Sequence, residues 1–131
     1  MTKNYFSRKE FACKCCGVCL ITSELWEKLN EARERAGIPF IITSGYRCPK
    51  HNENVGGVAD SAHVYGKAVD IAFKNSNQCF KIVKSLYDVG FRRIGINFAK
   101  SFVHCDIDNT KAQDVLFKYW WFDGKFKLCY K

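Results

Sequence analysis

The run Ser61-Ala62-His63-Val64-Tyr65-Gly66-Lys67-Ala68-Val69-Asp70 constrains this chain more than any other. It sets an imidazole and a carboxylate seven residues apart, with a glycine between them. Gly66 permits a backbone turn that a residue bearing Cβ resists. Residues 67–73, Lys-Ala-Val-Asp-Ile-Ala-Phe, then read as a strand. Such a turn can swing His63 back toward Asp70 so that both reach one ion. A third ligand must come from elsewhere, and the chain holds only three histidines. His104 lies in another strand-like run, Ser101-Phe102-Val103-His104-Cys105-Asp106-Ile107. Two histidines and one carboxylate make the ligand set of a catalytic zinc, which leaves the fourth position to water.

The spacing Ser61-x-His63-x-x-Gly66-x-Ala68-x-Asp70 resembles the SxHxxGxAxD signature of the zinc D-alanyl-D-alanine carboxypeptidase family. That family includes phage endolysins and shares a fold with the Hedgehog signalling domain. Ser44-Gly45-Tyr46-Arg47 upstream, residues 52–57 between, and Phe102-Val103-His104-Cys105-Asp106 downstream match it in order. The resemblance implies zinc held by His63, Asp70 and His104, and an amide-bond substrate from peptidoglycan. It also implies that Arg47 is the substrate-binding arginine, clamping a carboxylate with two hydrogen bonds. Ser61 either orients the turn or contacts substrate, and Tyr46 either lines the cleft or packs.

The general base departs from the family pattern. Many relatives carry an acidic residue three positions before the last histidine, where this chain has Ser101. Others carry a histidine two positions before it, where this chain has Phe102. Asp106, two residues beyond His104 on a strand, projects to the same face. It is therefore a catalytic candidate for taking the water proton, or a partner that only orients His104. Asp60 and His51 are lesser candidates.

At 131 residues the chain is expected to be one domain, residues 1–131, with a Cys-rich segment over residues 1–20 packed on it. No apolar run approaches the ~20 residues of a membrane span, and residues 1–10 lack the apolar core of a secretory signal. These features predict a monomer that is cytoplasmic as synthesised and reaches the cell wall after release. The net charge of +8 favours an anionic partner. Nucleic acid is not expected, because the chain carries no RNP motif, helix-turn-helix pattern or zinc-finger spacing. A polyanionic wall suits both charge and motif.

Eight cysteines, without a signal, argue for reduced thiols over a disulfide framework. Cys13, Cys15, Cys16 and Cys19 lie close enough to hold a second, structural ion, with Cys48 a further candidate. Free buried thiols and disulfides formed on release are the alternatives.

Ser7 and Glu10 have capping-box spacing and Phe6 and Phe11 staple spacing, which predicts a single helical turn. Residues 23–36 read as a helix with Leu25, Leu29, Ala32 and Ala36 on one face, ended by Gly37. Residues 40–43 read as a buried strand, and 48–60 as a loop or short helix. A second long helix, capped by Asn75 or Ser76, shows Phe80, Val83, Leu86 and Tyr87 as its apolar face and ends at Gly90. Strands follow at 92–96 and 102–107, and Asp123-Gly124 predicts a type I′ hairpin turn near the C-terminus. Trp120 and Trp121 beside it would stack on sugars or pack the hairpin. The fold class is α+β, helices packed on a mostly antiparallel sheet. Two function classes follow: a zinc metallopeptidase of D,D-carboxypeptidase or endopeptidase type acting on the wall, and a catalytically silent zinc-containing binding module of the same fold.

Overall fold

A computed structural model describes the backbone of residues 3–122 and 125–129, with side chains up to residue 118. The Asp123-Gly124 turn and the side chains of Trp120 and Trp121 lie outside the described residues. The strands on either side of that turn do pair antiparallel, Phe122 opposite Lys125.

The chain opens with a 3₁₀ turn, Arg8–Phe11. The Ser7 N–H donates to Glu10 Oε2 at 2.7 Å, and the Phe6 and Phe11 rings meet edge to face at 5.2 Å. Helix α1 spans Ser23–Ala36; Thr22 Oγ1 caps it by accepting from the Leu25 N–H, and Gly37 ends it at φ 69°. Strand β1 is Ile41–Ser44, short helix α2 is Pro49–Asn54, and a second 3₁₀ turn covers Ala62–Tyr65. Strand β2 is Ala68–Ala72, helix α3 is Ser76–Asp88, and strands β3 and β4 are Arg93–Asn97 and Phe102–Asp106. Strands β5, Val115–Phe122, and β6, Lys125–Cys129, complete the sheet.

The six strands run in the order β1-β2-β4-β3-β5-β6, antiparallel except for the β3–β5 pair. Alternation along each strand divides the two faces by chemistry. Val69, Ile71, Ile94, Val103 and Cys105 point into the core, together with Leu25 and Leu29 of α1 and Ile82 and Leu86 of α3. Asp70, Arg93, His104 and Asp106 take the opposite face. The expected face of α3 needs correction. Phe80 is 66% exposed and Tyr87 73%, while Cys79, Ile82, Ser85 and Leu86 are buried. Apolar residues at 79, 80, 82, 83, 86 and 87 give two overlapping stripes, and packing on α1 and β4 selects one of them.

Candidate metal centre

Gly66 is where the local fold and the site meet. Its φ of 68° is left-handed, and a Cβ there would strike the Leu20 carbonyl oxygen. The Gly66 carbonyl accepts from the Thr22 N–H at 3.0 Å, so the turn is seated against the start of α1. Ser61 Oγ accepts the His63 N–H at 3.3 Å and so caps this 3₁₀ turn. His63 is thereby delivered over β2, where register puts Asp70 directly opposite His104.

His63 Nδ1 donates to the Gly45 carbonyl at 2.7 Å. Because a carbonyl only accepts, the lone pair of the neutral ring is on Nε2, and Nε2 lies 3.3 Å from Asp70 Oδ1. His104 Nδ1 lies 3.0 Å from the same oxygen. Zinc–nitrogen and zinc–oxygen bonds of ~2.0–2.1 Å in a tetrahedron put donor atoms about 3.3 Å apart. These two separations are close to that edge, and all three residues offer donors within 4.8 Å of one another. The set is buried and could hold one metal ion.

The far side of His104 is as closely built. Its Nε2 donates to Asp106 Oδ2 at 2.7 Å. Asp106 Oδ1 accepts from Arg93 Nε at 2.8 Å and from the Asp108 N–H at 3.1 Å. Arg93 in turn donates from Nη1 to the Ala112 carbonyl at 2.7 Å and lies over the Phe117 ring. That ring occupies the space a Cβ on Gly95 would need, and stands 5.7 Å from the His104 ring.

Electrostatics follow from this burial. Desolvation would push the His104 pKa down, yet its bonds to Asp106 and Asp70 outweigh it and hold the ring at about 9. Burial dominates at His63 and lowers its pKa, against the pull of Asp70. Burial would raise Asp70, but His63 and His104 hold it well below the usual carboxylate range. Asp106 is likewise lowered, by His104 and Arg93 against desolvation. Without a cation, then, His104 must carry an extra proton to satisfy two carboxylates.

The donors line a cleft of ≈ 440 Å³. Arg47 is on its wall, Nη2 3.5 Å from Ser61 Oγ, and Lys14, Lys100 and Lys111 add positive charge around it. His51 also lines the cleft, from α2. Asp60 is exposed, and its backbone carbonyl accepts from Lys111 Nζ. Tyr46 is not among the cleft-lining residues; it is 7% exposed within the core, so its position fits packing and not substrate contact. Arg93 and Asn97 were not singled out from the sequence, yet both line the cleft. Asn97 is fully buried and its Nδ2 meets no acceptor among the described residues. The pattern Arg93-x-Gly95-x-Asn97 places all three on one strand face, but only the pairing of Gly95 with His104 says which face.

The thiols group differently from expectation. Cys13, Cys15, Cys16 and Cys48 converge, while Cys19 packs half-buried beside the core. Gly17, at φ 75°, turns the chain so that the Cys13 N–H meets the Val18 carbonyl at 2.7 Å, and Cys19 continues away. Among the described residues no helix is long and apolar enough to cross a membrane.

No curated protein matches the chain. Residues 4–106, which include His63, Asp70, His104 and Asp106, match the model of one protein family, described as Peptidase M15. The two histidines and the aspartate could hold a metal ion, and with that match over most of its length the chain belongs to the M15 family of zinc D-alanyl-D-alanine carboxypeptidase-like metallopeptidases.

Proposed function

We propose that this chain is a cell-wall lysin: a zinc peptidase that hydrolyses a D-amino-acid-containing amide bond in peptidoglycan stem peptides or cross-links. The observation that carries the reading is the convergence of His63 Nε2, Asp70 Oδ1 and His104 Nδ1 at one point in a cationic cleft. When bound there, zinc supplies Lewis acidity toward a carbonyl and lowers the pKa of water toward ~7. The chain's own residues supply the rest. The Gly45 carbonyl fixes the His63 tautomer, so that Nε2 would be the atom free to hold the ion. Arg47 clamps a substrate carboxylate bidentately, backed by Ser61. Asp106, with all its near contacts going to His104, Arg93 and Asp108, acts as the positioning residue for His104.

Mass spectrometry of muropeptides after digestion of purified wall tests this reading. The expected result is cleavage next to a D-residue that requires zinc and disappears in Arg47→Ala. Intact muropeptides from zinc-loaded protein would overturn it. One observation favours the silent binding module instead: Ser101 and Phe102 occupy the family's two usual base positions. Tight wall binding without turnover would decide for that module.

A further inference from the structure

We propose that Cys13, Cys15, Cys16 and Cys48 hold a second zinc ion, a structural clamp that fixes the Arg47 wall of the cleft to the N-terminal segment. The four sulfurs lie within 4.8 Å of one another although Cys48 is 35 residues from Cys13 in the chain. A tetrahedron with zinc–sulfur bonds of ~2.3 Å has edges of about 3.8 Å. Cys13 Sγ and Cys15 Sγ stand 3.7 Å apart, and Cys15 Sγ and Cys48 Sγ 3.2 Å. A disulfide bond is ~2.05 Å long; both separations are well beyond it, and all four thiols are free. Four soft thiolates converging on one ion would select zinc over the hard cations.

The surrounding backbone is shaped to present these sulfurs. The Gly17 N–H returns to the Cys13 carbonyl at 2.8 Å and closes a tight loop around Cys15 and Cys16. The Cys48 N–H donates to Cys13 Sγ and the His51 N–H to Cys48 Sγ, each at 3.4 Å. Such N–H···S contacts favour the ionised sulfur that a metal requires.

Three successive amides show what the clamp would hold. The Tyr46 N–H donates to the Phe11 carbonyl at 2.8 Å, the Arg47 N–H to the His63 carbonyl at 3.1 Å, and the Cys48 N–H to Cys13 Sγ. The segment bearing Arg47 is thus stitched alternately to the N-terminal segment and to the His63 turn. Gly45 is pressed so closely on the Phe11 backbone that a Cβ would collide with it. An ion on Cys48 anchors the residue after Arg47 and holds the guanidinium at a fixed distance from the catalytic donors.

Metal content by plasma mass spectrometry, on full-length protein purified under reducing conditions, tests the proposal without reference to any reaction. Two zinc ions per chain are expected. His63→Ala should leave one, Cys15→Ser/Cys16→Ser should leave one, and the combination none. Cobalt replacement should give a thiolate-to-metal charge-transfer band that survives His63→Ala and vanishes in the cysteine variant. Should the cysteine variant not fold, thiol titration of the unmutated chain still decides, since Cys15 and Cys16 must resist modification until a chelator is added. A single zinc abolished by His63→Ala, with freely reactive Cys15 and Cys16, would overturn the clamp. So would an intact mass two hydrogens short, with Cys15 joined to Cys48. The consequence for the cleft rests on the proposed hydrolysis: Cys48→Ser should raise KM severalfold more than it lowers kcat.

Discussion

Asp106 Oδ2 and His104 Nε2 lie 2.7 Å apart, on the side of the imidazole away from Asp70. That single contact separates the two roles open to Asp106. An orienting carboxylate raises ligand basicity and fixes the ring, and its loss costs a metal site roughly 10–100-fold in affinity. Asp106→Asn should therefore weaken zinc binding by about that factor, with activity recovering at high zinc. Chelator competition alongside wall hydrolysis measures both. Activity lost with zinc affinity unchanged would return Asp106 to the role of base.

The pair Arg93–Asp106 is buried on both sides, with side chains 6% and 2% exposed. Removing the guanidinium leaves the buried carboxylate with His104 and the Asp108 N–H alone, a loss of up to about 3–5 kcal/mol. Arg93→Ala should lower stability by that order in urea denaturation, whereas Arg92→Ala, one residue away in an exposed pair with Asp114, should change it by less than about 1 kcal/mol. Equal losses in the two variants would contradict the burial argument.

The turn at Gly66 is tested by one methyl group. Alanine at φ 68° costs about 1–2 kcal/mol of backbone strain, and its Cβ also displaces the Leu20 carbonyl that abuts the turn. Gly66→Ala should destabilise by at least about 2 kcal/mol and weaken zinc binding, because the same turn carries His63. Gly37→Ala has a similar φ but open space around it, and should show the strain alone.

Much of this arrangement is legible in the residues themselves. Leu25, Leu29 and Ala32 mark the buried face of α1, and Gly37 ends it by ordinary capping chemistry. His63, Gly66 and Asp70 announce a turn into a strand, and the chain has that shape. Local rules fail where the deciding neighbour is distant. Phe80 and Tyr87 are as apolar as Ile82 and Leu86, and only the position of α1 and β4 sorts them. Cys48 joins Cys13 because the Arg47 segment packs on residue 11, a contact that no spacing encodes. Arg93 looks like any strand cation until the register sets it opposite Asp106.

Removing the ligands should separate function from fold. His63, Asp70 and His104 lie on the sheet face opposite the apolar core, so their loss leaves the packing of α1 and α3 intact. His63→Ala, Asp70→Ala and His104→Ala should each lose the catalytic-site zinc and at least about a thousandfold in hydrolysis, the rate equivalent of several kcal/mol of Lewis-acid stabilisation. Far-ultraviolet circular dichroism should remain that of the parent. Any one variant with full activity on purified wall would remove that residue from the ligand set.

The pH dependence of the chelated protein carries an opposite sign on each side of neutrality. His104 sits at about 9 when folded, above its ordinary ~6.5. Its contribution is thus fully present below ~6.5 and is lost as pH rises through about 9. His63 has a lowered folded pKa, so its burial costs stability as pH falls below ~6.5, where the unfolded ring takes up a proton that the buried one resists. Metal-free protein should therefore be most stable near pH 6.5 and lose on the order of 3 kcal/mol by pH ~10. With zinc bound, Nδ1 of His104 holds the ion in place of the proton, and the alkaline loss from this residue should vanish, because protons then compete with the metal instead of supporting the fold. Urea midpoints across this range, with and without chelator, measure the difference. Chelated protein that grows more stable between about pH 7 and 9 would show that His104 does not bridge Asp70 and Asp106 as a cation.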